Sequence, residues 1–385
     1  MAAVFAASVA AGLSRLALAK YMRDDLGASA LIVSSLTTWF MAARAFSSVA
    51  SGLVADASPA ARRLLATAPL AVIAALVYTI PSLASPLAIL ALNAAWGLLS
   101  GMVWPVAQTM AALAAGRQSA TVMSVYFAAG SLGVSLGQYL YGLLPLGNPD
   151  AVRLSALLFA ASAALLIPAV RSMPAPPARP RARGSRSQGL LASLCSDGLA
   201  AWILLSALSA GYLSGLLREF LYIYLGEVYG LDRQSLASSL AAAGLAAFAA
   251  GLAVGPLADR LGVAPVLAAV LAMGLAGSLA LGLSPVLSAA LLGLALAMTA
   301  ARSSLPLTRN AAAFAPGLQA TLVGASNALS NIGQMASPVI AGRLYDALRG
   351  ETLAGLRGEA IPFLTAAALL AATLTMSPLA RRKGP

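Results

Sequence analysis

Long apolar runs separated by short polar turns set the pattern of this chain. The first run opens at Met1 and reaches Tyr21 with no basic residues ahead of it, so it reads as a membrane-spanning helix, not a secretory signal. It is barely long enough to cross a bilayer, which raises the expectation of a slightly earlier start. Further runs cover about 31–56, 64–83, 87–115, 121–144 and 152–170, with turns at Pro86, at Gly116-Arg117 and at Gly147-Asn148-Pro149-Asp150. A long polar stretch rich in Pro, Arg and Ser follows, and it has too little apolar character to bury a core. Six more runs begin near Leu199 and continue at about 236–258, 265–283, 287–311, 322–345 and 361–379. The pattern predicts an all-α polytopic membrane protein of twelve spans. Its expected parts are a six-helix half over 1–171, a basic cytoplasmic linker over 172–196 and a second six-helix half over 197–385.

The second half repeats the first. Gly52-Leu53-Val54-Ala55-Asp56, followed by Arg62 and Arg63, returns as Gly255-Pro256-Leu257-Ala258-Asp259-Arg260-Leu261-Gly262. The same interval relates Tyr21–Gly27 to Tyr224–Gly230 and Arg15 to Arg218. Gly130 and Gly133 in the fifth span answer Gly333 and Ser337-Pro338 in the eleventh.

At the Gly-to-Asp element the chain resembles the major facilitator superfamily, whose signature between its second and third helices reads roughly G-x-L-A-D-R-x-G-R-R. The second copy keeps Gly255, Leu257, Ala258, Asp259, Arg260 and Gly262, with Val263 and Ala264 in place of the basic pair. The first keeps Gly52 and Asp56, and its basic pair Arg62-Arg63 arrives two positions late. The resemblance covers almost the whole chain. It implies two six-helix halves that rock about a central site, with these loops as cytoplasmic latches. An anion at a helix N-terminus is favourable, so Asp56 is expected near Thr321 and Asp259 near Thr121.

Composition narrows the class. The chain is 60% hydrophobic and 9% charged, with a mean hydropathy of +0.87, against about 25% charged for a soluble domain. Nothing alternates as barrel strands do. The formal net charge of +12 comes from basic residues that flank the apolar runs, where the positive-inside rule places them. Nucleic acid is therefore not an expected partner; the bilayer and a small-molecule substrate are. Arg62, Arg63, Arg117, Arg260, the linker arginines and Arg381-Arg382-Lys383 fall on one side, and acids such as Asp24, Asp150, Glu227 and Glu351 on the other. That predicts a plasma-membrane protein with both termini cytoplasmic. With Cys195 the only cysteine and no histidine, no disulfide, thiolate metal site or cofactor is expected. A membrane-embedded enzyme lacks its usual acid–base groups here.

Polar residues deep in the spans carry the candidate chemistry. Arg15 and Arg218 each lie about 18 Å along the helix axis from the turns at Gly27 and Gly230, near the bilayer middle. Charge at that depth marks a water-filled path or a partner. The superfamily lines its cavity with helices one, four, seven and ten, which implies that both arginines can face it. Glu219 is the one deep carboxylate: a candidate proton carrier, or the structural partner of Arg44, Arg302 or Arg15. Arg302, with Asn93, Trp96 and Gln108 of the fourth span, completes the candidate substrate-binding set. Trp and Asn together suit a cavity that stacks and orients an organic molecule. Asn327, Asn331 and Gln334 form a stripe suited to interhelical hydrogen bonding, and Gly130, Gly133 and Gly137 to close packing. The expected function is secondary transport of a small organic solute with an anionic group, protons being the candidate coupling ion. Efflux of hydrophobic compounds is the alternative, although the fifth span lacks the Gly-Pro pair of the superfamily's antiporters. A receptor-like protein without transport is a further one.

Overall fold

The computed structural model describes residues 1–57, 59–115, 119–171, 198–313, 319–353 and 355–377. Six helices come first: α1 (Ala2–Lys20), α2 (Ala30–Ala57), α3 (Pro59–Thr79), α4 (Pro86–Ala115), α5 (Ser119–Leu143) and α6 (Asn148–Arg171). Seven follow: α7 (Gly198–Leu216), α8 (Glu219–Val228), α9 (Arg233–Leu261), α10 (Val263–Leu283), α11 (Leu287–Ala313), α12 (Gln319–Leu348) and α13 (Ile361–Thr375). A two-stranded hairpin, β1 (Thr352–Leu353) with β2 (Leu356–Arg357), fills the turn before α13. Among the described residues ten helices are long and apolar enough to cross a bilayer. With α5 and α12, of 25 and 30 residues, they make the twelve spans read from the sequence.

The seventh span departs from that reading. It is not one helix but two, α7 and α8, interrupted at Leu217-Arg218, where Arg218 leaves the helical region (φ −104°, ψ −126°). No proline forces the break. On one side Leu217 N–H still bonds to Leu213 O, and on the other Leu221 N–H turns back to Arg218 O, each at 3.1 Å. α8 therefore has an N-terminus of its own inside the membrane, with Glu219 in its first turn, where the helix dipole favours an acid.

The chain packs as two compact units whose boundary falls at this break. The first comprises Met1–Pro176 with Arg218–Phe248, and the second Pro177–Leu217 with Ala249–Pro385. The compact units thus do not follow the linker: α8 and the first half of α9 pack with the first six helices.

Each unit is held by a close helix crossing built the same way. In the first, a Cβ on Gly12 of α1 would lie 2.2 Å from Val134 O of α5, and one on Gly133 would meet Phe5 O at 2.7 Å and Ser8 Cβ at 2.8 Å. In the second, a Cβ on Gly215 of α7 would lie 2.6 Å from Gln334 O of α12, and one on Gly333 would meet Leu208 O at 2.4 Å and Tyr212 N at 2.6 Å. Gly215 and Leu208 are the repeat counterparts of Gly12 and Phe5. The internal repeat is therefore a repeat of packing, and small residues let the backbones touch where lipid supplies no hydrophobic drive. The turns repeat as well: Gly27 (φ 64°) and Gly230 (φ 63°) take the left-handed conformation that glycine accepts.

Polar turn residues set the helix starts. Ser29 accepts from Ile32 N–H at 3.3 Å ahead of α2, and Asp232 accepts from Ser235 N–H at 2.9 Å ahead of α9. The hydroxyl and N–H of Ser235 hold the Asp232 carboxyl below the usual carboxylate range.

The crossings yield a direct test. Gly12→Ala places a methyl against a backbone carbonyl that cannot swing away, so it should destabilise the protein by about 1–3 kcal/mol. Gly255→Ala, with nothing within 4 Å of its Cβ, should be neutral or stabilising by a few tenths to about 1 kcal/mol. Thermal unfolding of the two variants in detergent compares them. Equal melting temperatures would show that the α1–α5 contact is not tight.

Candidate functional site

The break in the seventh span gathers the charged residues of the first unit. Glu219, 3% exposed, sits at the head of α8. Arg15 Nη1 of α1 donates to its Oε1 at 3.2 Å. Its Oε2 accepts the hydroxyl of Thr37, a fully buried residue of α2. Both carboxylate oxygens are thus occupied, by donors from two different helices. Such an arrangement suits a charged carboxylate in a low-dielectric setting.

Arg15 is held on its other faces by rings. Its guanidinium lies 4.5 Å from the centroid of Phe40 and 5.9 Å from that of Trp96, within the range of cation–π attraction. Trp96 makes edge contacts with Phe40 at 5.6 Å and with Phe159 at 5.5 Å, which ties α2, α4 and α6 together. Beside it Asn93 donates to Leu36 O at 2.6 Å. Asn93 and Trp96, expected on a cavity wall, are both core residues here, 4% and 3% exposed.

Arg218 is half-buried, and its guanidinium stands in the combined field of Arg15, Arg44 and Glu219. These four groups, on α1, α2 and the head of α8, form one cluster. Tyr222, one turn along α8, accepts from Gln138 Nε2 of α5 at 3.2 Å. Two turns beyond the Arg15–Glu219 pair, the π-helical turn Tyr21–Asp25 that continues α1 meets α8 again: Arg23 Nε donates to Glu227 Oε1 at 2.6 Å, and its Nη1 to Ala28 O at 2.8 Å. A cavity of ≈ 600 Å³ opens at this end of the first unit, lined by Lys20, Asp24, Asp25, Tyr141, Asn148 and Arg233 among others. Arg233 closes one wall, donating to Tyr141 O at 2.8 Å and to Leu146 O, with its guanidinium 4.0 Å from the Tyr141 ring.

Arg302 is on α11 in the second unit, half-buried. Gln108 lies on α4, but its side chain is outside the described residues, as are the side chains of Asp56 and Arg62 and the surroundings of Gly52. The side chains of Thr121 and Thr321, the expected latch partners, are outside them too. Arg63, Gly255, Asp259, Arg260 and Gly262 are exposed. On α12, Gln334 donates to Ser330 Oγ of the same helix at 3.3 Å.

Thr37 and Phe40 are the functional residues that sequence reasoning passed over. Thr37→Val removes a hydrogen bond to a charged group, worth about 1.5–3 kcal/mol, while keeping the side-chain shape. A matching loss of unfolding free energy is expected, with Thr37→Ser recovering most of it. Equal stability of Thr37→Val and the native protein would show that the hydroxyl does not hold Glu219.

A family model described as Major Facilitator Superfamily matches residues 1–338. No curated protein sequence matches the chain. Solved structures share its fold over nearly its full length. A point mutant of the nucleoside transporter NupG superposes with a TM-score of 0.77 at 15% identity, covering 98% of both chains. The Escherichia coli fucose:proton symporter FucP gives a TM-score of 0.66 at 16% identity, covering 99% of this chain and 97% of its own. The human organic anion transporter MFSD10 gives 0.64 at 20% identity, covering 97% and 98%. Twelve apolar spans, two units with matching helix crossings and a charge cluster at a broken helix accord with that likeness, and the chain belongs to the Major Facilitator Superfamily of multi-pass secondary transporters.

Proposed function

We propose that the protein moves a small organic solute carrying an anionic group across the plasma membrane by alternating access, with both termini in the cytoplasm. The observation that carries this reading is the excess of guanidinium over carboxylate at the break in the seventh span. Among the described residues, Glu219 is the acid whose charge acts on Arg218 together with those of Arg15 and Arg44. Cationic drugs would meet repulsion there, which disfavours efflux of such compounds. Arg presents a planar fork of donors suited to carboxylate or phosphate.

The transport cycle follows from the pair. With Arg15 bonded to Glu219 and Arg23 to Glu227, α8 is fastened along two turns to α1 and to the π-helical turn (Tyr21–Asp25) that continues it, at the end of the first unit that carries Gly27 and Gly230. That end is the extracellular one in the proposed orientation. Opening it separates Arg15 from Glu219. The freed guanidinium then faces the solute, and the stranded carboxylate is stabilised by taking up a proton, which would couple transport to the proton gradient. The loops at Asp56 and Asp259, with Gly52, Arg62, Arg63, Gly255, Arg260 and Gly262, act as the cytoplasmic latch in this scheme. Cytoplasmic-side cysteine labelling that is unchanged in Asp56→Asn would remove them from it.

Reconstitution into proteoliposomes tests the proposal. Organic anions should exchange across the membrane and accumulate under an imposed pH gradient. Glu219→Gln should abolish that accumulation and leave counterflow exchange largely intact, because exchange needs binding and rocking but no net proton movement. Accumulation by Glu219→Gln equal to that of the native protein would make Glu219 a purely structural residue. Flux restricted to neutral or cationic solutes would overturn the anion reading.

A further inference from the structure

The first residue of α9 carries a charge that its own helix does not favour. Arg233 opens α9, where the positive end of the helix dipole disfavours a cation. It serves another helix instead. α5 ends at Leu143, and the carbonyl of Tyr141 in its last turn would bond to the N–H four residues on. That residue is Pro145, which has no N–H to give. Arg233 fills the place: its Nε donates to Tyr141 O at 2.8 Å and its Nη1 to Leu146 O in the turn beyond, with the guanidinium 4.0 Å from the Tyr141 ring. The C-terminus of α5, where a cation is favourable, is thus capped from 92 residues further along the chain. The cap belongs to a wider network. Tyr141 donates its hydroxyl proton to Asn148 Oδ1, and Asn148 Nδ2 donates to Asp25 Oδ2 at 3.1 Å, in the π-helical turn after α1. One turn into α9, Ala237 Cβ lies 2.6 Å from where a Cβ on Gly142 would stand, so the two helix ends meet through small residues.

Two features mark this cap as one made to be undone. Arg233 Nη2 is buried and has no hydrogen-bond partner among the described residues, so the guanidinium is not fully satisfied where it sits. The cap also borders the ≈ 600 Å³ cavity, whose wall carries Asp24, Asp25 and Asp232. A guanidinium that lets go of α5 has carboxylates in the same cavity to pair with, so its charge is not stranded. The carbonyls it leaves behind are neutral and can be taken up by water from that cavity. We infer that Arg233 is a clamp that holds the head of α9 on the end of α5, and that its release lets these helix ends part on the side that carries Gly27 and Gly230. The inference rests on the reading of the chain as an alternating-access carrier. It adds a second fastening, between α5 and α9, to the Arg15–Glu219 and Arg23–Glu227 pairs.

Labelling of a buried cysteine in the purified full-length protein in detergent tests this. Cys195 is replaced by serine, and Leu240→Cys reports opening through its rate of reaction with a maleimide. Leu240 is fully buried and lies on the same face of α9 as Arg233 and Ala237. In this background Arg233→Gln should raise the labelling rate at least about tenfold, a shift of about 1.4 kcal/mol in the opening equilibrium. Arg233→Lys keeps the charge but lacks the planar fork that spans two carbonyls, so its rate should fall between the two. A melting temperature lowered by Arg233→Gln with labelling unchanged would make Arg233 a static cap and overturn the inference. If Arg233→Gln fails to fold, Arg233→Lys decides, and labelling at the native rate overturns the inference. The readout needs no solute. Faster labelling together with no flux of any solute in proteoliposomes would sink the carrier reading and leave the clamp standing.

Discussion

One buried ion pair organises this molecule. Glu219 has little water around it, and both its oxygens are held by donors from two helices other than its own, Arg15 from α1 and Thr37 from α2. An uncompensated charge in this position costs several kcal/mol, so the pair dictates where α8 lies. The helix that begins at Glu219 packs with the first six helices. The break at Leu217-Arg218 is the structural consequence, because α7 is drawn into a backbone-to-backbone crossing with α12 at Gly211 and Gly215. Two sets of short-range demands meet at one residue, and the helix yields there.

The rigid parts and the changeable parts are made of different material. Glycine crossings, α1 on α5 and α7 on α12, bring carbonyl oxygens within contact of a neighbouring backbone, and such contacts tolerate little sliding. The contacts of α8 with α1 are polar: Arg15 with Glu219, Arg23 with Glu227, and Lys20 close to Gly226. Such pairs part only when water, a proton or a charged solute takes the place of the lost partner. This division gives a physical basis for alternating access, with dry crossings inside each unit and exchangeable charges where α8 must part from α1.

Much of this was legible in the sequence, and what was not has definite causes. The spans, their number and the repeat followed from apolar run lengths and from the returning Gly-to-Asp element. The depth of Arg15, Arg218 and Glu219 followed from counting back from Gly27 and Gly230, two glycines that do adopt positive φ. Arg15 was already among the three partners open to Glu219; choosing between them needed the third dimension. The helix break left no local mark, since its cause is competition between contacts far apart in the chain. Thr37 was invisible for a similar reason. A threonine within a helix commonly bonds its own backbone, and only the approach of α8 makes this one a ligand of a carboxylate. The contacts of Asn93 with Leu36 and of Trp96 with Phe40 and Phe159 join helices far apart in the chain and left no mark in the sequence either.

The central claim is that Arg15 and Glu219 act as one unit. A double-mutant cycle on unfolding free energy in detergent, with Arg15→Gln, Glu219→Gln and the double variant, measures that directly. Arg15→Gln should cost about 3–5 kcal/mol, because it strands a buried carboxylate. Glu219→Gln should cost less, since the amide can still accept from Thr37 and Arg15 keeps its rings. The double variant should be more stable than the sum of the two losses implies, by about 1–3 kcal/mol. Losses that add to within about 0.5 kcal/mol would contradict the account and show that the two residues, though adjacent, do not hold α8 in place.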